Sequence, residues 1–201
     1  MAISMESVKT LRERTGAGVL DCKKALEEAA GDLEKAIVLL RQAGIAAAAK
    51  RAGRATAQGV ISSYIHAGGR IGVLVELNCE TDFVARTEDF QRLAKELAMQ
   101  VAAEDPQFIA REDVPDTILE KEKGIYQAQA QKEGKPEKVI EKIVQGKLVN
   151  FYRQVCLLDQ PYIRDDAKTV GDLVKEAAGR IGENIVIRRF VRFQLGGDAA
   201  E

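Results

Sequence analysis

The apolar pattern of this chain changes period near its first quarter, and that change constrains the fold more than any other feature. From Val60 to His66 and from Ile71 to Asn78 apolar residues recur at every second position, and the two runs flank Gly68-Gly69. Such alternation marks a half-buried strand, and a glycine pair between two alternating runs marks a hairpin. Pairing across the turn sets Tyr64 opposite Val73, Ser62 opposite Val75 and Val60 opposite Leu77, one consistent face. A further alternating run, Ile185, Ile187, Val191, Phe193 and Leu195 against Arg188, Arg192 and Gln194, predicts a third strand near the C-terminus.

The stretch between these strands reads as helix. Phe90, Leu93, Ala94, Leu97, Ala98 and Val101 trace one apolar stripe. Pro115 opens a helix carrying Ile118, Leu119, Ile125 and Ala128; Gly134-Lys135-Pro136 turns the chain into another carrying Ile140, Val144, Leu148, Phe151 and Val155. Residues 115–157 therefore predict an antiparallel helical hairpin. Thr169 with Asp172 caps a last helix bearing Val170, Leu173, Val174 and Ala177. Three antiparallel strands with these helices make an α+β core over 57–201.

Ahead of the core, residues 1–45 read as a three-helix module. Ser4 caps the first helix, Asp21 the second and Asp32 the third, which Gly44 is expected to stop. The module's core is thin and alanine-rich. Residues 46–56, with Ala46 to Ala49 followed by Lys50, Arg51 and Arg54, form a basic connector of high helix propensity, a helical linker between module and core. Its three cations are either a solvated face, the commoner outcome, or an RNA contact.

Charge narrows the function. Thirty basic residues against 31 acidic give a net charge of −1, and there is no Trp. A chain that works by neutralising phosphates carries a basic excess, and one that stacks bases carries aromatics, so direct nucleic-acid binding is not expected. Cys22, Cys79 and Cys156 lie far apart and have no metal-ligand spacing with the single His66. Neither a signal peptide nor a membrane span is visible, and free thiols fit a reducing compartment, so a cytoplasmic protein is expected.

No enzyme constellation emerges. There is no P-loop, no GxGxxG after a strand and no GxSxG. A Cys79–His66 dyad is separated by the length of the hairpin, roughly 20 Å on a strand rising about 3.3 Å per residue. No catalytic residue, metal or cofactor is expected. Two segments stand out instead. Val19-Leu20 follows Gly16-Ala17-Gly18 and is either a local apolar staple or a partner contact. Phe83 lies in the polar segment Glu80-Thr81-Asp82-Phe83-Val84, where an aromatic is either tucked back into the core, the commoner outcome, or displayed as an interface anchor.

These segments carry a resemblance. Leu11-Arg12-Glu13-Arg14-Thr15-Gly16-Ala17-Gly18-Val19-Leu20-Asp21-Cys22-Lys23-Lys24-Ala25-Leu26 is similar to the N-terminal signature of the elongation factor Ts family. Glu76 to Arg86 resembles that family's second signature. Arg180-Ile181-Gly182-Glu183-Asn184-Ile185 with Arg188-Arg189-Phe190 resembles its C-terminal strand region.

The resemblance implies a UBA-like N-terminal module and a guanine-nucleotide exchange factor for elongation factor Tu. By it, Thr81, Asp82, Phe83 and Val84 approach the partner's G domain, where the Phe disturbs the Mg²⁺ and phosphate site so that GDP leaves. Arg12, Val19 and Leu20 are the implied contacts of the N-terminal module. Many family members carry Met-Met at Val19-Leu20, and branched aliphatics fill a similar contact with less adaptability. Longer members also hold a second, related half of the core. This chain has one copy, so the resemblance implies a homodimer, with the strand Ile185–Leu195 or the hairpin edge as its surface.

Overall fold

A computed structural model describes residues 3–197. Helix caps set its first elements. Ser4 caps α1 (Met5–Thr15), its Oγ accepting from the Ser7 N–H at 3.0 Å. Asp32 caps α3 (Leu33–Arg51) by accepting from Lys35 N–H at 3.0 Å. The second helix departs from expectation. Gly18, not Asp21, is the N-cap of α2 (Val19–Glu28), so Asp21 lies in its first turn. A carboxylate is favourable there without being the cap, because the first turn's N–H groups are unpaired and the helix dipole is positive. Val8, Leu11, Cys22, Ala25, Leu26, Ala29 and Ala36 close the core of the three helices.

Gly44 does not stop α3; the helix runs on to Arg51, so the first turns of the basic connector are its C-terminal end. An interior glycine costs a helix about 1 kcal/mol relative to alanine. Here it lies against α8 (Val170–Ile181), where a Cβ built on Gly179 would stand 2.6 Å from the carbonyl carbon and oxygen of Gly44. Arg41 of α3 reaches Glu176 of α8 at 2.5 Å across the same crossing. Two glycines let the backbones meet.

β1 (Gln58–Ile65), β2 (Ile71–Cys79) and β5 (Val186–Gln194) form the expected three-stranded antiparallel sheet, in the order β1-β2-β5. The His66 N–H donates to the Ile71 carbonyl at 2.9 Å, in keeping with the hairpin pairing. Val73, Val75, Leu77 and Cys79 are buried. The third strand does not keep its face. Ile185 and Ile187 are buried, whereas Val191, Phe193 and Leu195 are exposed. The two consecutive exposed residues Arg188 and Arg189 shift the alternation by one. Arg192 is thereby turned inward, where its guanidinium donates to the Ala102 carbonyl and pairs with Asp105 at 3.3 Å.

Contacts divide the chain into two compact units. One holds the chain up to Ser62 with Glu76–Ala94 and Val174–Arg188; the other holds Ser63–Val75, Lys95–Leu173 and the chain from Arg189. In the second, α6 (Asp116–Lys132) and α7 (Glu137–Val155) form the expected hairpin, closed by Phe151, Val114 and Cys156. A short ribbon, β3 (Pro161–Tyr162) with β4 (Asp165–Thr169), has too few residues to show a period and is not legible in the sequence. Buried Gln100 and Gln160 bond each other at 3.2 Å, and the Gln100 amide donates to Pro161 and accepts from the Ile163 N–H. Thr169 and Asp172 cap α8 reciprocally, as expected.

The glycine crossing is asymmetric, and mutation reads the asymmetry. Gly179→Ala sets a Cβ into backbone and should cost about 1–3 kcal/mol. Gly44→Ala, whose Cβ meets Gly179 no closer than 3.6 Å, should be neutral or stabilising through helix propensity. Urea unfolding of the two variants distinguishes them; equal midpoints would mean that the helices are not in backbone contact.

Candidate partner-binding site

β2 ends on the buried Cys79, and the chain leaves it through Glu80 and Thr81 into a single helical turn, α4 (Asp82–Ala85). Thr81 is its N-cap, with Oγ1 accepting from the Val84 N–H at 3.4 Å. Ala85 is the one residue of the turn that is buried. Phe83 is 80% exposed, so the displayed arrangement holds and the tucked one does not. Seven positions on, Phe90 of α5 (Glu88–Glu104) is fully buried. Leaving a Phe in water forgoes about 1.5–3 kcal/mol of burial, which a partner surface can recover. Asp82, beside it, pairs with Arg86 at 2.9 Å.

A set of bonds ties the turn down. Glu183 Oε2 accepts from the Glu80 and Thr81 N–H groups at 3.0 Å each, and its Oε1 accepts from the Thr81 hydroxyl at 2.6 Å. In return Glu80 Oε1 accepts from the Asn184 N–H at 2.7 Å, and Glu80 Oε2 meets Arg54 at 3.4 Å. The buried Asn184 amide donates to the carbonyls of Ala52 and Arg54. The Asn184 N–H, with help from Arg54, holds the Glu80 carboxyl below its ordinary value of 4.5. A carboxyl so depressed adds stability above that value and loses it as pH falls through the lower folded value. Sequence reasoning singles out none of Glu80, Glu183 and Asn184 for this part. Their partners are more than a hundred positions away, and no spacing rule reaches that far.

The other predicted residues lie on the N-terminal helices of the same unit. Arg12 is exposed near the end of α1, and Val19 and Leu20 open α2 with Leu20 73% exposed. They are displayed, not stapled. The connector cations do not form one basic face. Lys50 is exposed, Arg51 has its Nη1 buried beside a cleft of about 720 Å³, and Arg54 is engaged by Glu80.

The thiols are poor nucleophiles. Cys22, Cys79 and Cys156 are free and buried; burial raises the Cys79 thiol and pushes Cys156 up to about 11. His66 shares a hydrogen bond of 3.1 Å with the Tyr64 hydroxyl. Among the described residues no group of three or more His, Cys, Asp or Glu side chains is placed to hold a metal ion, and no helix is long and apolar enough to cross a membrane.

Phe83 on its hydrogen-bonded turn and Val19-Leu20 on α2 leave apolar side chains exposed on the first unit, and known proteins share this chain's sequence almost end to end. The family model described as elongation factor TS matches residues 40–197. Elongation factor Ts of Thermoanaerobacter sp. (strain X514) is 61% identical over 194 residues, covering 96% of this chain and 95% of its own. That of Carboxydothermus hydrogenoformans is 59% identical over 199 residues, covering 99% and 92%. That of Coprothermobacter proteolyticus is 58% identical over 196 residues, covering 98% and 100%. The chain belongs to the elongation factor Ts family of translation factors.

Proposed function

We propose that this protein binds the GDP form of elongation factor Tu and promotes release of GDP, so that GTP can be loaded. The observation that carries the reading is the exposed Phe83 at the tip of a capped, anchored turn. Thr81, Asp82, Phe83 and Val84 enter the G domain of the partner, and Phe83 wedges into it so that Mg²⁺ is displaced and the phosphate site disturbed. No covalent step is needed. Each 1.4 kcal/mol taken from the nucleotide clamp speeds release about tenfold. The factor has only to bind the nucleotide-free partner more tightly than the GDP-bound one, and linkage then makes nucleotide expel the factor. Residues 1–45 serve as a docking module through Arg12, Val19 and Leu20.

A homodimer completes the proposal. In the second unit Ile65, Leu74, Val191, Phe193 and Leu195 are exposed on strands β1, β2 and β5 and the residue just past them. Apolar side chains in such number on one sheet are the mark of a covered face, and a second copy of the chain is the proposed cover.

Phe83→Ala, on an exposed side chain, should change stability by no more than about 0.5 kcal/mol. It should lower the stimulated release of fluorescent GDP from elongation factor Tu about tenfold or more; release at the unmutated rate would sink the wedge. Leu20→Ser should raise the concentration for half-maximal exchange by about tenfold, since a buried leucine contributes ~1.5–3 kcal/mol, while leaving the maximal rate near that of the unmutated chain. Phe193→Asp should convert dimer to monomer in light scattering behind a sizing column.

A further inference from the structure

We infer that Glu183 is a positioning residue for Phe83, acting through the Thr81 cap; this rests on the exchange reading above. A four-residue helix does not hold its own shape, since a first turn fixes several dihedrals for very few hydrogen bonds. The bonds at the start of the turn are long, 3.4 Å from the Val84 N–H to Thr81 Oγ1 and 3.3 Å from the Ala85 N–H to the Thr81 carbonyl, whereas its C-terminal end is held by the Thr87 hydroxyl on the Val84 carbonyl at 2.8 Å and the Gln91 amide on the Ala85 carbonyl at 2.7 Å. Its ion pair, Asp82–Arg86, is exposed and so contributes little. Against these, the Glu183 carboxylate takes three hydrogen bonds at once from Glu80-Thr81.

One atom joins the two sets. The Thr81 hydroxyl donates to Glu183 Oε1 at 2.6 Å and accepts from the Val84 N–H. Donation to a carboxylate fixes the rotamer of Thr81 and directs the remaining lone pairs of Oγ1 toward the first turn. The two N–H groups on Oε2 fix the planes of the peptide bonds that enter the turn. With entry and cap both set, the direction of Phe83 is set. Without Glu183 the turn keeps its exposed Phe and the bonds at its C-terminal end but loses the ones that fix its entry and its cap, and with them the aim of Phe83.

Because the chain has no Trp, Phe83→Trp places a single indole at the tip. Time-resolved anisotropy of that indole reports the turn directly, without the partner. Adding Glu183→Ala should introduce a fast depolarising component and, in the Phe83 background, lower the maximal rate of stimulated GDP release about tenfold, the equivalent of ~1.4 kcal/mol, with a smaller change in half-saturating concentration. Thr81→Val should reproduce both effects, Thr81→Ser, which keeps the hydroxyl, should leave the depolarisation of the indole unchanged, and the Glu183→Ala/Thr81→Val pair should be no worse than the stronger single change, because both break one relay. Unchanged depolarisation of the indole in Glu183→Ala overturns the positioning role. Faster depolarisation with full exchange by every variant upholds the positioning role and overturns the wedge role of Phe83, whereas no stimulated release by the unmutated chain overturns the exchange reading itself. Should Glu183→Ala fail to fold, Thr81→Val, on an exposed residue, breaks the same relay and is read by the same two measurements.

Discussion

Two stretches of chain, 103 positions apart at Glu80 and Glu183, clasp each other by exchanging the same kind of bond. Glu183 accepts the N–H groups of Glu80-Thr81, and Glu80 accepts the N–H of Asn184. Hydrogen bonds to a charged acceptor are shorter than neutral ones and roughly twice as strong. The sheet makes the clasp possible. β2 and β5 are neighbours and antiparallel, so the residues just past Cys79 and just before Val186 are brought to one end of the pair. The long-range closure is borne by strand pairing, and the clasp adds direction. Arg54 and Asn184 extend it to the end of α3, so three segments of the first unit converge on the base of one exposed turn.

That convergence has a thermodynamic consequence for binding. An interface residue that must be ordered on association costs about 0.5–1.5 kcal/mol of side-chain freedom, with more for an unfixed loop. A turn held by a charged clasp meets that cost during folding instead. The same logic explains why an apolar ring can stay in water here. Its exposure is a small loss to stability spread over a whole chain, and it is concentrated at the point where a partner can recover it.

How far the sequence discloses this differs by element. The helices of the hairpin, the strands β1 and β2, and the caps Ser4, Asp32 and Thr169 are local matters of period and cap chemistry, and all are legible. Where a local rule meets a tertiary contact, the contact wins. Gly44 reads as a stop, yet α3 passes through it, and Gly179 lies against it. β5 reads as one alternating face, yet Arg188-Arg189 shift it, and Val191, Phe193 and Leu195 emerge on the surface. Phe83 is recognisable as anomalous in a polar loop, but whether it is tucked or displayed is settled by tertiary packing that no local window contains. The clasp itself leaves no trace in any window, since glutamate and asparagine in a loop are ordinary.

The near-zero charge hides a further division of labour. Arg41, Arg54, Arg111, Arg180 and Arg192 meet Glu176, Glu80, Asp159, Asp89 and Asp105 respectively, so five guanidinium groups face carboxylates of the same fold. Binding to a nucleic acid draws on cations that can release counterions from phosphates. A guanidinium already facing a carboxylate must first give up that partner. On the first unit Phe83 stands exposed on a tied-down turn, and Val19-Leu20 on the first turn of a helix. The exchange function proposed above draws on surfaces of that kind, because apolar contacts gain from fit and lose little to salt.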